Sequence, residues 1–170
     1  MLLYRPISLV GAIYKIIMKV LSCRIKKVLS EVIDVSQLAF LKDRGLLDGV
    51  LVANEVVEEL RRSGRSDLCL KVDYEKAYDS VRWDFVYYMM RRLGFHRRWI
   101  MWVKGCLESA TISVLVKRSP MTEFKPSRGL RQGDPLALFL FLIVVEGLAR
   151  LVRQATNVNL LKGEGMKKRG

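Results

Sequence analysis

Cysteine is scarce and badly placed for pairing. The three residues, Cys23, Cys69 and Cys106, are odd in number and far apart, and each lies in an apolar segment. That pattern excludes a disulfide framework and a clustered zinc site, and predicts reduced, buried thiols in an intracellular protein. Long apolar runs are also missing. The longest, Leu136 to Val145, is stopped by Glu146, well short of the roughly 20 residues that a membrane-spanning helix needs. A buried helix is the expected assignment, and no membrane is expected among the partners. Met1-Leu2-Leu3-Tyr4 runs straight into Arg5-Pro6 without the shape of a secretory leader. The single histidine, His96, has no partner pattern and reads as an exposed residue at a helix start. There is no internal repeat, no low-complexity stretch and no evident interdomain linker. Acids are few beside bases, 17 Asp and Glu against 30 Lys and Arg, and nowhere do two aspartates stand side by side.

What is present describes one globular domain of basic character. Of the 170 residues, 51% are hydrophobic and 28% charged, enough apolar mass for a core and too much for a disordered chain. The formal net charge is +13. Lys15, Lys19, Arg24, Lys26 and Lys27 come without an intervening acid, as do Arg91, Arg92, Arg97, Arg98 and Lys104, and Lys167-Lys168-Arg169 lies near the end. Any one cluster is adequately explained as a solvated helix face. Their sum favours a polyanion, with nucleic acid ahead of an anionic membrane surface.

Periodicity supplies a coarse set of elements. Ile13, Ile16, Ile17, Val20, Leu21, Ile25, Val28 and Leu29 recur at helical spacing, with most lysines of that segment on the other face. A second helix is expected from Asp48, as N-cap, to Arg62, with a turn at Ser63-Gly64-Arg65-Ser66. Leu68, Leu70 and Val72 alternate with Cys69, Lys71 and Asp73, which predicts a strand ending near Asp73. Helices follow over Asp84–Leu93, stopped by Gly94, and over Arg97–Leu107. Thr111–Val116 and Met121–Lys125 are expected to pair as a hairpin. Asp134-Pro135 reads as N-cap and first helical position of a long apolar helix reaching about Gln154. On pattern alone the fold class is α+β or α/β.

Two segments carry the chemistry. A carboxylate at a strand end, as Asp73 would be, is held rigidly at an edge and suits Mg²⁺, which often takes only one or two protein carboxylates. Turn-capping is the commoner role of such an aspartate. Further on, Arg128-Gly129-Leu130-Arg131-Gln132-Gly133-Asp134-Pro135 is a glycine-bearing loop entering a helix. Glycines allow close backbone approach and a helix N-terminus favours anions, so this reads as a phosphate or nucleotide loop of low specificity.

The first segment, Leu70-Lys71-Val72-Asp73-Tyr74-Glu75-Lys76-Ala77-Tyr78-Asp79-Ser80-Val81-Arg82-Trp83, resembles a core motif of the reverse transcriptases of non-LTR (LINE-type) retrotransposons nearly residue for residue, and the second resembles another. Tyr4-Arg5-Pro6-Ile7-Ser8-Leu9 and Gln37-Leu38-Ala39-Phe40-Leu41-Lys42-Asp43-Arg44 resemble two earlier motifs in the right order. Trp83 and the Arg-Gln-Gly-Asp-Pro wording favour the LINE-type group, of the plant kind, over intron-encoded maturases. The resemblance implies an α+β fold, the partial fingers and palm of a right-hand polymerase, helix-rich with a small incomplete antiparallel sheet. Residues 1–66 would be fingers-like and 67–170 palm-like, within one partial domain. It implies RNA-directed DNA polymerase activity by two-metal nucleotidyl transfer, with RNA template, DNA primer and deoxynucleoside triphosphates as partners, Mg²⁺ as cofactor, and action in the nucleus. Carried over by position, Asp73 is the catalytic residue and metal ligand. Tyr78 is the steric gate at a ribonucleotide's 2′-hydroxyl. Gln132 and Gly133 line the incoming nucleotide and the template base, Arg5 reaches the triphosphate, and Arg44 contacts the template. Asp134 stays a helix cap.

Three departures qualify this. Ala137-Leu138 stand where the family has Ser-Pro, and Lys117-Arg118 replace Asn-Gly in the hairpin turn, where positive φ would suit neither. The family's Asp-Asp strand is not in the sequence. Two Mg²⁺ ions about 4 Å apart repel by roughly 17 kcal/mol at an effective dielectric of about 20, and one carboxylate is a poor substitute for three. The expectation is therefore a truncated domain that does not polymerise alone. The alternatives are a non-catalytic basic RNA- or DNA-binding module and a chain that does not fold by itself.

Overall fold

The computed structural model describes residues 11–41, 44–64, 72–116 and 119–161. Their elements, in order, are α1 (Ala12–Val32), α2 (Leu46–Ser63), α3 (Trp83–Arg92), α4 (Arg97–Glu108), a short hairpin of β1 (Leu115–Val116) and β2 (Ser119–Pro120), and α5 (Ala137–Asn157). The helix-rich expectation holds, and the hairpin is the only sheet among the described residues. Val116 pairs with Ser119 and Leu115 with Pro120, and further down Ile112 and Phe124 exchange both backbone hydrogen bonds at 2.9 Å. Lys117 and Arg118, at the turn, lie outside the described residues. So do Arg65–Lys71, most of the expected strand. Val72 and Asp73 are described and are not in a strand.

The core is built around α5, which packs on α3 and α1, while α4 packs on α3. Leu140 and Ile143 of α5 meet Met18, Ile25 and Leu29 of α1, Val86 and Met90 of α3 and Val103 of α4 in one buried cluster. Each fully buried aliphatic side chain contributes about 1.5–3 kcal/mol. α3 and α4 fall where the periodicity predicted. Gly94, at φ +84°, turns the chain between them, and His96, exposed, accepts the Arg98 N–H on Nδ1 (3.2 Å) as N-cap of α4.

α1 corrects the expectation of a single apolar face. Met18, Leu21, Ser22, Ile25 and Leu29 are buried, whereas Ile13, Ile16, Ile17, Val20 and Val28 are exposed. The segment carries more apolar residues than one helix face can hide, so the surplus is left exposed, largely on the side away from the core. Cys23 is exposed on the same helix and Cys106 half-buried, against the expectation of buried thiols; Cys69 lies outside the described residues. The N-cap of α2 is Gly45 rather than Asp48, which instead sits in its first turn, and its C-cap is Gly64 with φ +62°. Among its residues whose side chains are described, none of α2 belongs to the core; Leu47, Val50, Leu51 and Val52 are exposed, and Leu38 Cδ1 lies against Gly49 where a Cβ would come within 2.6 Å.

Candidate active site

Asp73, Tyr74 and Glu75 stand exposed at the start of an irregular turn that reaches Ser80. What fixes this turn is the other motif. Gly129 N–H donates to the Val81 carbonyl (2.8 Å), Leu130 N–H to the Tyr78 carbonyl (2.8 Å), and the Trp83 indole N–H to the Gly129 carbonyl (2.7 Å). Arg82 and Arg128 form an antiparallel bridge. Gly129 has φ +92°, and a Cβ there would stand 3.2 Å from the Asp79 carbonyl oxygen. Glycine is required twice over, by backbone and by space. Two segments nearly fifty positions apart in sequence, Trp83 and Gly129 being separated by 46 residues, are thus laced into one unit.

Beyond this seam the chain makes a turn at Arg131-Gln132-Gly133-Asp134, closed by the Asp134 N–H on the Arg131 carbonyl (3.2 Å). Gly133 at φ +86° takes the third position, where a type II turn needs positive φ. Gln132 is half-buried and Gly133 exposed. Asp134 is not the N-cap of α5, and Pro135 is not its first residue. The Asp134 carboxylate accepts the Leu136 N–H (2.8 Å) and its carbonyl accepts the Ala137 N–H (3.2 Å), which adds one turn before the helix begins at Ala137.

The same carboxylate accepts the Tyr14 hydroxyl from α1 (3.1 Å), and the Arg131 guanidinium lies 4.8 Å above the Tyr14 ring. Burial pushes the Asp134 carboxyl above its ordinary range, against the pull of its hydrogen bonds and of Arg131. Burial, then the Asp134 charge, pushes the Tyr14 phenol up as well. Sequence reasoning passed over Tyr14, whose only signal was a polar aromatic at the head of an apolar helix.

Tyr78 is half-buried and stacked on Phe141 of α5 (centroids 5.1 Å apart, planes 24° apart), and Tyr74 meets the same ring edge-on at 5.8 Å. A groove of about 520 Å³ runs beside them, lined by Tyr74, Ala77, Val81, Phe85, Tyr88 and Phe141 among others. Arg44 has an internal task. Its guanidinium donates to the carbonyls of Ser30 (3.0 Å), Ile33 (3.2 Å), Asp34 and Gln37 (2.8 Å), closing the end of α1 and the loop after it. Arg5 lies outside the described residues. Among the described residues no three His, Cys, Asp or Glu side chains converge as a metal site would require, so Asp73 alone does not make one.

The profile of the family described as reverse transcriptase (RNA-dependent DNA polymerase) matches residues 3–162. The chain belongs to the reverse transcriptase family. Over 164 residues it is 31% identical to the transposon TX1 uncharacterized 149 kDa protein of Xenopus laevis, covering 96% of this chain and 12% of that one. It is 28% identical over 147 residues, 86% of this chain and 14% of the other, to the Pol polyprotein from the type-2 retrotransposable element R2DM of Drosophila melanogaster. An uncharacterized mitochondrial protein of Arabidopsis thaliana shares 43% over 49 residues, 29% of this chain and 40% of its own length. The LINE-type resemblance read from the motifs holds, and this reverse transcriptase segment spans only 12–14% of those two transposon relatives. Among the described residues no helix is long and apolar enough to cross a membrane.

Proposed function

We propose that the chain is the part of a LINE-type reverse transcriptase that holds the incoming deoxynucleotide and the template base beside Asp73. The reading extends to RNA-templated addition to a DNA 3′-end in the nucleus, with residues 1–66 as fingers and 67–170 as palm of a right-hand polymerase. The observation that carries it is the seam between the two motifs, Gly129 to Val81, Leu130 to Tyr78 and Trp83 to Gly129. It ties the segment bearing Asp73 to the turn bearing Gln132 and Gly133. That the element is of the plant kind is part of the reading, and the 49-residue likeness to the Arabidopsis protein is in keeping with it.

Each residue then has a role that its surroundings suit. Tyr78, stacked on Phe141, is a rigid wall against which a sugar can be judged rather than a freely turning ring. Gln132 and Gly133 offer an amide side chain and an unobstructed backbone on an outward turn. Arg5 takes the triphosphate. Arg44 serves the template through the loop it fixes, since its guanidinium is committed to four carbonyls. Reverse transcriptases generally use divalent ions, and Asp73 is the carboxylate offered here for Mg²⁺. No group of three such side chains gathers around it among the described residues, and no catalytic step is assigned to this 170-residue polypeptide alone.

The test is anisotropy of a recessed RNA–DNA template–primer, with and without the next complementary deoxynucleotide and Mg²⁺. The expected result is tighter binding with the correct nucleotide than with a mismatched one, an increment removed by Gln132→Ala. Equal binding with all four nucleotides would refute the reading. Primer extension in the same samples should be absent, and extension abolished by Asp73→Asn would show instead that the polypeptide completes its own site.

A further inference from the structure

α1 carries a rail of positive charge that its own fold does not explain. At 3.6 residues per turn, Lys15, Lys19 and Lys26 fall within about 40° of one another around the helix and extend about 16 Å along it. All three are exposed, and none is in an ion pair among the described residues. Several other helix cations are answered within their own helix. Arg62 pairs with Glu58 and Lys104 with Glu108 one turn away, and Arg61, Arg62, Arg91 and Arg92 occupy last turns, where the helix dipole favours them. α1 has neither device: its first acid is Glu31, and no basic residue stands in its last turn. Lys15 and Lys19 repel one another at i,i+4.

The rail also starts at a telling place. Lys15 follows Tyr14, whose hydroxyl and ring hold Asp134 and Arg131 of the glutamine-glycine turn. Arg131, over the Tyr14 ring, stands at the head of the same helix, so cations mark that turn and then one side of α1. We infer that this track binds the sugar-phosphate backbone of a single nucleic-acid strand as it leaves the nucleotide turn. Its length matches roughly five stacked nucleotides at about 3.4 Å each. The inference rests on the proposed function above and adds the surface that the strand follows. The contacts are to phosphates, so they fix position without reading sequence.

The test is anisotropy of a fluorescein-labelled 20-nucleotide polyuridine RNA on the 170-residue chain, titrated over a range of salt. The triple variant Lys15→Gln/Lys19→Gln/Lys26→Gln should bind on the order of 100-fold more weakly near 0.1 M salt and lower the log–log salt slope by about 2. Arg91→Gln/Arg97→Gln/Arg98→Gln removes the same charge from α3 and α4 and should lose far less. The triple Lys→Arg variant, which keeps the charge, should bind like the wild type and guards against a folding artefact. Equal losses from both Gln variants, or none from the rail variant, would overturn the inference while leaving RNA binding by the chain intact. No binding by the wild type would remove the proposed function with it. If the rail variant loses only phosphatidylserine vesicles and keeps RNA, the track is a membrane surface and the inference falls.

Discussion

Asp134 is pulled two ways, and pH separates the forces. Its carboxyl is raised mainly by burial, while the Leu136 N–H, the Tyr14 hydroxyl and Arg131 favour the charged form. A carboxyl raised on folding takes up a proton more readily in the folded chain. Its contribution to stability is therefore full below the ordinary carboxylate value and is lost as pH rises through the raised one. Asp34 has the opposite sign. The Ser36 hydroxyl and N–H hold its carboxyl low, so its contribution is present above the ordinary value and is lost as pH falls. Asp134→Asn keeps an acceptor for Leu136 and Tyr14 but cannot ionise. Thermal melts should show the variant gaining on the wild type between pH 4 and pH 7; a gap that moves the other way would sink this account. Tyr14→Phe, which takes a hydrogen bond from a carboxylate, should cost about 1.5–3 kcal/mol in urea melts.

The seam between the two motifs can be tested through its glycines. Gly129 and Gly133 both have positive φ, but a Cβ at 129 would meet the Asp79 carbonyl at 3.2 Å, whereas nothing lies within 4 Å of one at 133. Gly133→Ala should cost only backbone strain, about 1–2 kcal/mol. Gly129→Ala should cost more, because the obstacle is backbone and cannot swing aside. Equal costs in urea melts would mean that the seam is looser than its distances indicate. The elements on either side differ in how plainly the sequence announced them. α3 and α4 were legible because Gly94 separates two segments, each with apolar residues at helical spacing that end in the core. α5 was legible in extent but not in its start, since the Asp134 carboxylate spends itself on a preceding turn that Asp-Pro does not announce. The glycine loop was legible as a loop. That Gly129 presses on Asp79, and that Trp83 donates across to it, was not, because contacts 46 or more residues apart leave no local trace.

Across the whole molecule, family membership was the most legible property and internal bracing the least. The motifs identified a reverse transcriptase, yet nothing in Glu146 except its interruption of an apolar run marked it as a hub. Its side chain is 2% exposed. One carboxylate oxygen accepts Arg150 Nε (3.0 Å) and Arg153 Nη2 (2.7 Å), and the other accepts the Asp34 N–H (3.1 Å). Arg153 also reaches Asp34 at 3.2 Å. With Arg44 closing the carbonyls around it, this network fastens the loop after α1 to the middle of α5. Among the described residues α2 has no such fastening and none in the core. Hydrogen exchange should therefore rank the molecule, with α5 and α3 slowest and α2 fastest among the helices. Glu146→Leu would leave the Asp34 N–H without its acceptor and the two arginines without their shared charge, at a cost of roughly 3 kcal/mol. Its exchange signature should be local, with faster exchange over 33–41 and little change in α4. If Glu146→Leu leaves 33–41 as protected as in the wild type, Glu146 is only a satisfied buried charge and the loop is held by Arg44 alone.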